Sequence, residues 1–207
     1  MKIDWSKQEK TLYTAKKPTI ITIPSQQFIT LTGCGNPNDS LFTKKISALF
    51  PIAYGIKMAI KKGALGESID YRVYPLEGVW TTTDGSKGEN LNKDALKYKI
   101  MLRQPGFVTE DFFNAIKTKT LIKKENPYFD DVKWEVYEEG QVLQMIHTGT
   151  FDTETKTFNQ MENFLAENKL TKTVMMGDYW HREIYLNDFR RTQPEKLQTL
   201  LRYKIKA

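Results

Sequence analysis

The sequence predicts an α+β domain built from two successive strand–helix–strand–strand modules with a cleft where they meet. Two observations carry this. Runs rich in β-branched and aromatic residues alternate with amphipathic stretches of helical length, in the same order in each half of the chain. No low-complexity tract or long linker separates the halves, so residues 1–207 read as one domain, with module one about 18–125 and module two about 132–207. The duplication is one of element order and not of residue identity, and Asn126-Pro127 marks its junction.

After a charged leader, Thr19-Ile20-Ile21-Thr22-Ile23-Pro24 and Phe28-Ile29-Thr30-Leu31-Thr32-Gly33 read as strands around a Pro-Ser bend. Gly33 to Asn38 has loop composition, and Asp39 or Ser40 can cap a helix running to about Lys62. Pro51 inside it is expected to kink the helix or mark a first turn. Two further strands, Asp70–Pro75 and Tyr98–Arg103, flank a polar loop, and a helix from Thr109 to Lys124 follows. In the second half, Trp134–Tyr137 and Val142–Ile146 are strands bent at Gly140, and Phe158, Met161, Phe164 and Leu165 give an apolar face to a helix from about Thr155 to Glu167. Tyr179–Leu186 and Leu200–Ile205 complete the set, with Thr192 capping and Pro194 opening a short helix before the last strand.

Hydrophobic residues at 40% and charged residues at 27% are those of an ordinary globular chain, whose length allows a real core. The net charge of +6 invites a nucleic-acid reading, but the lysines are scattered and many alternate with acids, so they read as a solvated surface. Cys34 is the only cysteine, which excludes an intrachain disulfide, fits a reducing cytoplasm, and reads as a buried inert thiol. No stretch suits a signal peptide or membrane span. His147 and His181 are far apart and lack metal-ligand spacing, so no metal is expected.

The most informative run is Tyr179-Trp180-His181-Arg182-Glu183-Ile184-Tyr185-Leu186. Strand alternation puts Tyr179, His181, Glu183 and Tyr185 on one face and Trp180, Ile184 and Leu186 on the other. Glutamate is a poor strand residue whose charge is costly to bury unless paired or protonated. Between tyrosines it suits a counter-charge for a flat cationic ligand, or a carboxylate tuned for proton transfer. The alternative is a Glu on the solvated face of an amphipathic strand.

Leu12-Tyr13, Pro18, Ile21, Pro24, Phe28 and Gly33 through Asn38 resemble the start of stand-alone GyrI-like small-molecule-binding proteins. Tyr74-Pro75-Leu76-Glu77-Gly78-Val79-Trp80 resembles that family's first-module strand-end motif, and His181–Leu186 with Arg190–Leu197 its C-terminal signature. The resemblance covers nearly the whole chain in order. It implies the fold of the effector-sensing part of multidrug-responsive bacterial regulators. It also implies the activity of stand-alone members that hydrolyse cyclopropane-bearing alkylating natural products. The leader before Thr19 is shorter than the helix–turn–helix that precedes the regulators' domain, so no direct nucleic-acid contact is expected.

The resemblance makes Glu183 the base or water-orienting group, or the counter-charge of a drug pocket. Tyr185 is the candidate for stabilising a developing oxyanion, with Tyr179 on the same face as a second phenol donor. Trp80 and Tyr71 are candidates to stack on a flat ligand, with a core Trp as the alternative for Trp80. Trp180 and Trp134 are further wall candidates for which core packing is favoured. His181 tunes Glu183 only if their side chains converge. Glu77 beside Gly78 reads as a turn residue, and Arg190, Arg191 and Glu195 as shaping the final turn. Two readings follow. One is a cofactor-independent cytoplasmic hydrolase detoxifying cyclopropyl alkylators; the other is a non-catalytic protein that sequesters drugs, using Glu183 as counter-charge. In both, the partners are hydrophobic aromatic small molecules, cationic ones included, and neither a nucleic acid nor a membrane is a partner. A protein-interaction role ranks last, because the readable residues point into a cleft.

Overall fold

In the computed structural model, which describes residues 2–206, two 16-residue strands form the spine: β2 (Thr19–Cys34) and β6 (Lys133–Thr148). The sequence reading splits each into two strands at Pro24 and Gly140. The structure instead keeps each continuous and sets the two breakers one step apart across the ladder: Ile23 pairs with Gly140 and Ser25 with Glu138, so Pro24 falls at the one step where no pair forms. Gly140, at φ +71°, takes up a change of parity. Before it the odd residues Glu135 and Glu139 reach the polar contacts of the inner face; after it the even residue Gln144 does so.

Between the long strands run β4 (Leu76–Thr82), β5 (Leu96–Gln104), β8 (His181–Tyr185) and β9 (Gln198–Lys206). The antiparallel pairings follow a closed circuit, β2–β5–β4–β8–β9–β6 and back to β2, with the short β7 (Thr171–Thr173) beside the end of β9. The order strand–helix–strand–strand occurs twice: β2, α2 (Ser40–Lys61), β4, β5, then β6, α4 (Thr155–Glu167), β8, β9. Helix α3 (Glu110–Lys123) lies between them. The strand expected at Asp70–Pro75 reduces to β3 (Asp70–Tyr71), paired with β1 (Lys2–Ile3). The stretch expected as a strand end is instead the central strand β4. Helix α2 runs through Pro51 as one element, because Ile46, Leu49, Ile52, Ile56 and Ile60 bury a continuous stripe. No helix among the described residues is long and apolar enough to cross a membrane.

Helices α2 and α3 cover the outer face of β2, β5 and β4 with Ile46, Leu49, Ile52, Ile56, Phe113 and Ile116. Helix α4 covers β6 and β9, Met161 and Leu165 packing on Leu143, Met145, Leu201 and Tyr203. The β4–β8 pair lies between these two packed layers. The inner face holds two apolar plugs: Trp5 (in α1, Trp5–Gln8), Tyr13, Tyr74, Ile184 and Leu200 in one, and Phe28, Val79, Met101, Met175 and Tyr179 in the other. A buried ion network accompanies them on this face. Arg182 donates to Glu77 Oε2 and to Glu139 Oε2 (2.7 Å), while Arg202 donates to Glu139 Oε2 (3.0 Å), to Gln144 and to the Leu12 carbonyl. Glu77, expected as a turn residue, is therefore a fully buried strand residue. The expected inert thiol, Cys34, is exposed at the end of β2.

Candidate functional site

The antiparallel register of β4 and β8 sets Gly78 opposite Glu183 and Trp80 opposite His181. Alternation sends Arg182 and Ile184 inward and leaves His181, Glu183 and Tyr185 on the outer face. The three outer residues converge. His181 Nε2 lies 3.0 Å from Glu183 Oε1, and the Tyr185 hydroxyl donates to Glu183 Oε2 at 2.8 Å. The carboxylate thus has a donor on each oxygen, while its side chain keeps 12% of its surface open to solvent. Burial, reinforced by the Glu183 charge, pushes the Tyr185 phenol well above its ordinary range, so it remains a protonated donor.

A second carboxyl faces the first from another element. Glu154 precedes α4, after the 3₁₀ turn Phe151–Thr153, and is only 6% exposed. Burial raises its pKa well above the glutamate range, the nearby Glu183 charge adds to this, and a hydrogen bond with Thr199 opposes it. One Glu154 oxygen has no hydrogen-bonding partner. Two carboxyls in one site with unequal surroundings are the arrangement that separates an acid from a base.

Aromatic rings wall the site. Gly78 has no side chain, and the Trp80 indole lies over it: a Cβ there would meet Trp80 Nε1 at 2.7 Å. The indole packs against Phe42 (5.8 Å between centroids) and Tyr98 (5.3 Å). Its N–H is buried without an acceptor, though near enough to the Tyr185 hydroxyl to act on that group's titration. On the other side Phe158 stands edge-on to His181 at 5.0 Å, and Phe151 and Phe189 stand edge-on to Tyr185 at 5.7 and 6.1 Å.

This geometry can be set beside known proteins. The model of the GyrI-like small molecule binding domain matches residues 16–206. The chain belongs to that family. It is similar in structure to an uncharacterized conserved protein from Listeria innocua, 36% identical, covering 99% of this chain and 100% of that one with a TM-score of 0.89. It is also similar to a hydrolase from Listeria innocua, 34% identical over 99% of this chain and 100% of that one, with a TM-score of 0.84. The EcmrR C-terminal domain is 12% identical over 92% of this chain and 97% of its own, with a TM-score of 0.53; that likeness shows a shared fold. No functionally curated protein matches the sequence significantly.

Of the residues singled out from sequence, this GyrI-like fold brings Glu183, Tyr185, His181 and Trp80 together. Tyr179 does not join them. The strand begins only at His181, and the tight turn from Met175 to Tyr179, with Met176 at φ +49°, breaks the alternation. Tyr179 packs on the inner face with Phe28, Val79, Met101 and Met175, beneath the Lys97 and Lys99 ammonium groups. Trp180 is 46% exposed. Tyr71 belongs to β3 and packs edge-on to Phe107, and Trp134 packs on Phe113 of α3. Sequence reasoning missed Glu154, Thr199 and the Phe151, Phe158 and Phe189 rings. For Phe151, Glu154 and Phe158 the one visible sign is the aromatic spacing within the acidic and threonine-rich run Phe151–Phe158. Two open cavities lie away from the carboxyl pair. One of about 360 Å³ touches Tyr13, Lys16, Ile146 and Leu186; the other, of about 250 Å³, lies between α2 and α3. Among the described residues, no group of three or more His, Cys, Asp or Glu is placed to hold a metal ion.

Proposed function

We propose that this GyrI-like protein is a hydrolase that opens strained cyclopropyl rings on flat, hydrophobic aromatic molecules. The observation that carries this reading is the pair of unlike carboxyls inside an aromatic enclosure. Glu183 accepts from two donors and is in contact with solvent, while burial raises the pKa of Glu154 well above the glutamate range. The description of a 34% identical relative as a hydrolase supports it.

In this mechanism a water on the open side of Glu183 attacks a cyclopropane carbon conjugated to a carbonyl. The new C–O bond forms as the ring C–C bond breaks, and the released electron pair moves through the conjugated system to the carbonyl oxygen. Glu183 takes one proton from the water, and Glu154 supplies one to the oxygen, so the sum is addition of one water. Tyr185 and His181 hold the Glu183 carboxylate in place. The candidate donor to the developing oxyanion is the Tyr185 hydroxyl, which rests on Glu183 and has the Trp80 indole N–H close by to support it. Relief of ring strain drives the step.

The test is mass spectrometry of a cyclopropyl-indole alkylator incubated with the native protein and with Glu183→Gln. Product one water heavier, formed in excess over protein, is expected from the native chain. The substitution should lower turnover by about 10²–10⁴-fold. A compound that binds yet emerges unchanged would leave a drug-binding module. In that case Glu183→Gln should weaken cationic ligands and spare neutral ones. Equal hydrolysis by both proteins would remove Glu183 as the base.

A further inference from the structure

Outside the residues that face the substrate and the buried ion network, His147 is a titratable side chain with a hydrogen-bond partner at each ring nitrogen. It lies on β6 opposite Thr199 of β9, and is 4% exposed. The chain leaving β6 wraps around its ring. Nδ1 is 2.9 Å from Thr157 Oγ1; Nε2 is 3.0 Å from the Thr150 carbonyl and 3.0 Å from Thr153 Oγ1. Gly149, at φ +131°, lies against the imidazole: a Cβ there would stand 3.4 Å from Nε2 and 3.0 Å from Thr153 Oγ1. A side chain at 149 would therefore be strained and crowded, which explains a glycine at the start of the turn.

The tautomer follows from the partners. A carbonyl oxygen only accepts, so Nε2 carries the hydrogen and Nδ1 accepts from the Thr157 hydroxyl. Thr153 Oγ1 donates to the Thr150 carbonyl at 2.8 Å, which leaves its lone pairs toward Nε2–H. Burial lowers the ring's pKa and so favours the neutral form, against opposing pulls from the Thr150 carbonyl and the Glu183 charge. The imidazole thereby fixes both ends of the segment 150–157, the one that carries Phe151 onto Tyr185 and places Glu154 within the electrostatic reach of Glu183.

We infer that His147 is the positioning residue of the site: its imidazole is the hub that holds Phe151 against Tyr185 and keeps Glu154 buried beside the Glu183 charge. Its consequence for turnover rests on the hydrolase reading, but its consequence for Glu154 does not. With the hub removed, Glu154 loses its enclosure and gains water, and its carboxyl titrates as an ordinary glutamate.

The experiment compares the native protein with His147→Phe, which keeps the volume and removes both ring nitrogens, and His147→Gln, which restores a donor toward Thr150. Carbon-13 NMR of glutamate side-chain carboxyls follows Glu154 through a pH titration, its resonance assigned by its loss in Glu154→Gln. The expected result is a raised Glu154 titration in the native protein, a drop to the usual glutamate range in His147→Phe, and recovery in His147→Gln. Turnover of the cyclopropyl probe should fall about tenfold or more in His147→Phe through kcat with KM little changed. Thr157→Val, which removes only the donor to Nδ1, serves if His147→Phe does not fold, and should shift Glu154 the same way. An unchanged Glu154 titration overturns the inference, as does a shifted titration with kcat intact. If the native protein turns over nothing, the hydrolase reading fails, and the NMR titration still decides the role of His147.

Discussion

Replacing Gly78 by Ala tests whether the Trp80 indole is seated on the strand backbone opposite Glu183. The added Cβ would meet Trp80 Nε1 at 2.7 Å, Cε2 at 3.1 Å and Cζ2 at 3.4 Å. Carbon contacts are optimal near 3.5–4.0 Å, so the edge of the ring must lift by roughly 1 Å. It has little room, since Trp80 is 4% exposed and its ring packs on Phe42 and Tyr98. Overpacking of this kind costs about 1–3 kcal/mol. Against it stands about 0.5–1 kcal/mol gained by removing a glycine from a strand. The net loss, about 0–2.5 kcal/mol, lowers Tm by up to roughly 10 °C for a chain of this length. The indole N–H also moves relative to Tyr185, so kcat should fall more than KM rises. Thermal unfolding and turnover of the cyclopropyl probe, with Gly106→Ala as the control where an added Cβ meets nothing within 4 Å, give the answer. A Gly78→Ala protein as stable and as active as the native one refutes the seating of Trp80.

Other outcomes follow from the same geometry. Arg182→Ala strips the buried Glu77 carboxylate of its guanidinium and leaves Glu139 to Arg202 alone. Urea unfolding should show a loss of about 3–5 kcal/mol, and Arg182→Met should not restore it because the carboxylates remain. Glu154 has a raised pKa in the folded state, so its contribution is fully present below the ordinary glutamate pKa and is lost as pH rises toward the folded value. Glu154→Gln should therefore flatten that fall by about 1.4 kcal/mol for each pH unit over which only the unfolded chain ionises, read as urea midpoints across pH 4–8. His147 acts in the opposite sense: its lowered pKa means stability is lost as pH falls below about 6.5, and His147→Gln should remove that acid-side loss. Trp180→Ala should change neither turnover beyond twofold nor stability beyond about 0.5 kcal/mol, because the side chain is exposed and outside the site.

The parts of the site that were legible in sequence are those that lie within one strand. His181, Glu183 and Tyr185 share a face because strand periodicity is local, whereas the convergence of their side chains on Glu183 is seen only in the structure. The same rule misplaced Tyr179, since it holds only while the backbone stays extended, and the Met175–Tyr179 turn ends that condition one residue before His181. Glu154 could not be found this way. In sequence it sits among Thr and Asp residues that look like a solvent-facing helix start. It reaches Glu183 because β6 and β9 pair, setting His147 beside Thr199, and because the turn after β6 folds around His147. Helix α4 was legible at both ends; Pro51, expected to kink α2 or mark a first turn, lies inside it and not in its first turn, the buried stripe outweighing one lost hydrogen bond.

The division of Arg182 and Glu183 between opposite faces explains how one strand serves both architecture and chemistry. Arg182 points inward, where it joins β4 through Glu77 and β6 through Glu139, and Arg202 continues the network to the segment before β2. Those bonds fix β8 relative to β4, and so fix where Gly78 and Trp80 stand relative to Glu183. On the hydrolase reading proposed above, Glu183 presents an oxygen to water and gains from such a mounting, because a rotation of β8 would displace Glu183, Tyr185 and His181 together. On this argument the buried ion network and the outer carboxyl pair are coupled through a single residue step. A substitution at Arg182 that still folds should then lower kcat although its side chain never faces the cleft, and that loss should scale with the freedom it gives to β8.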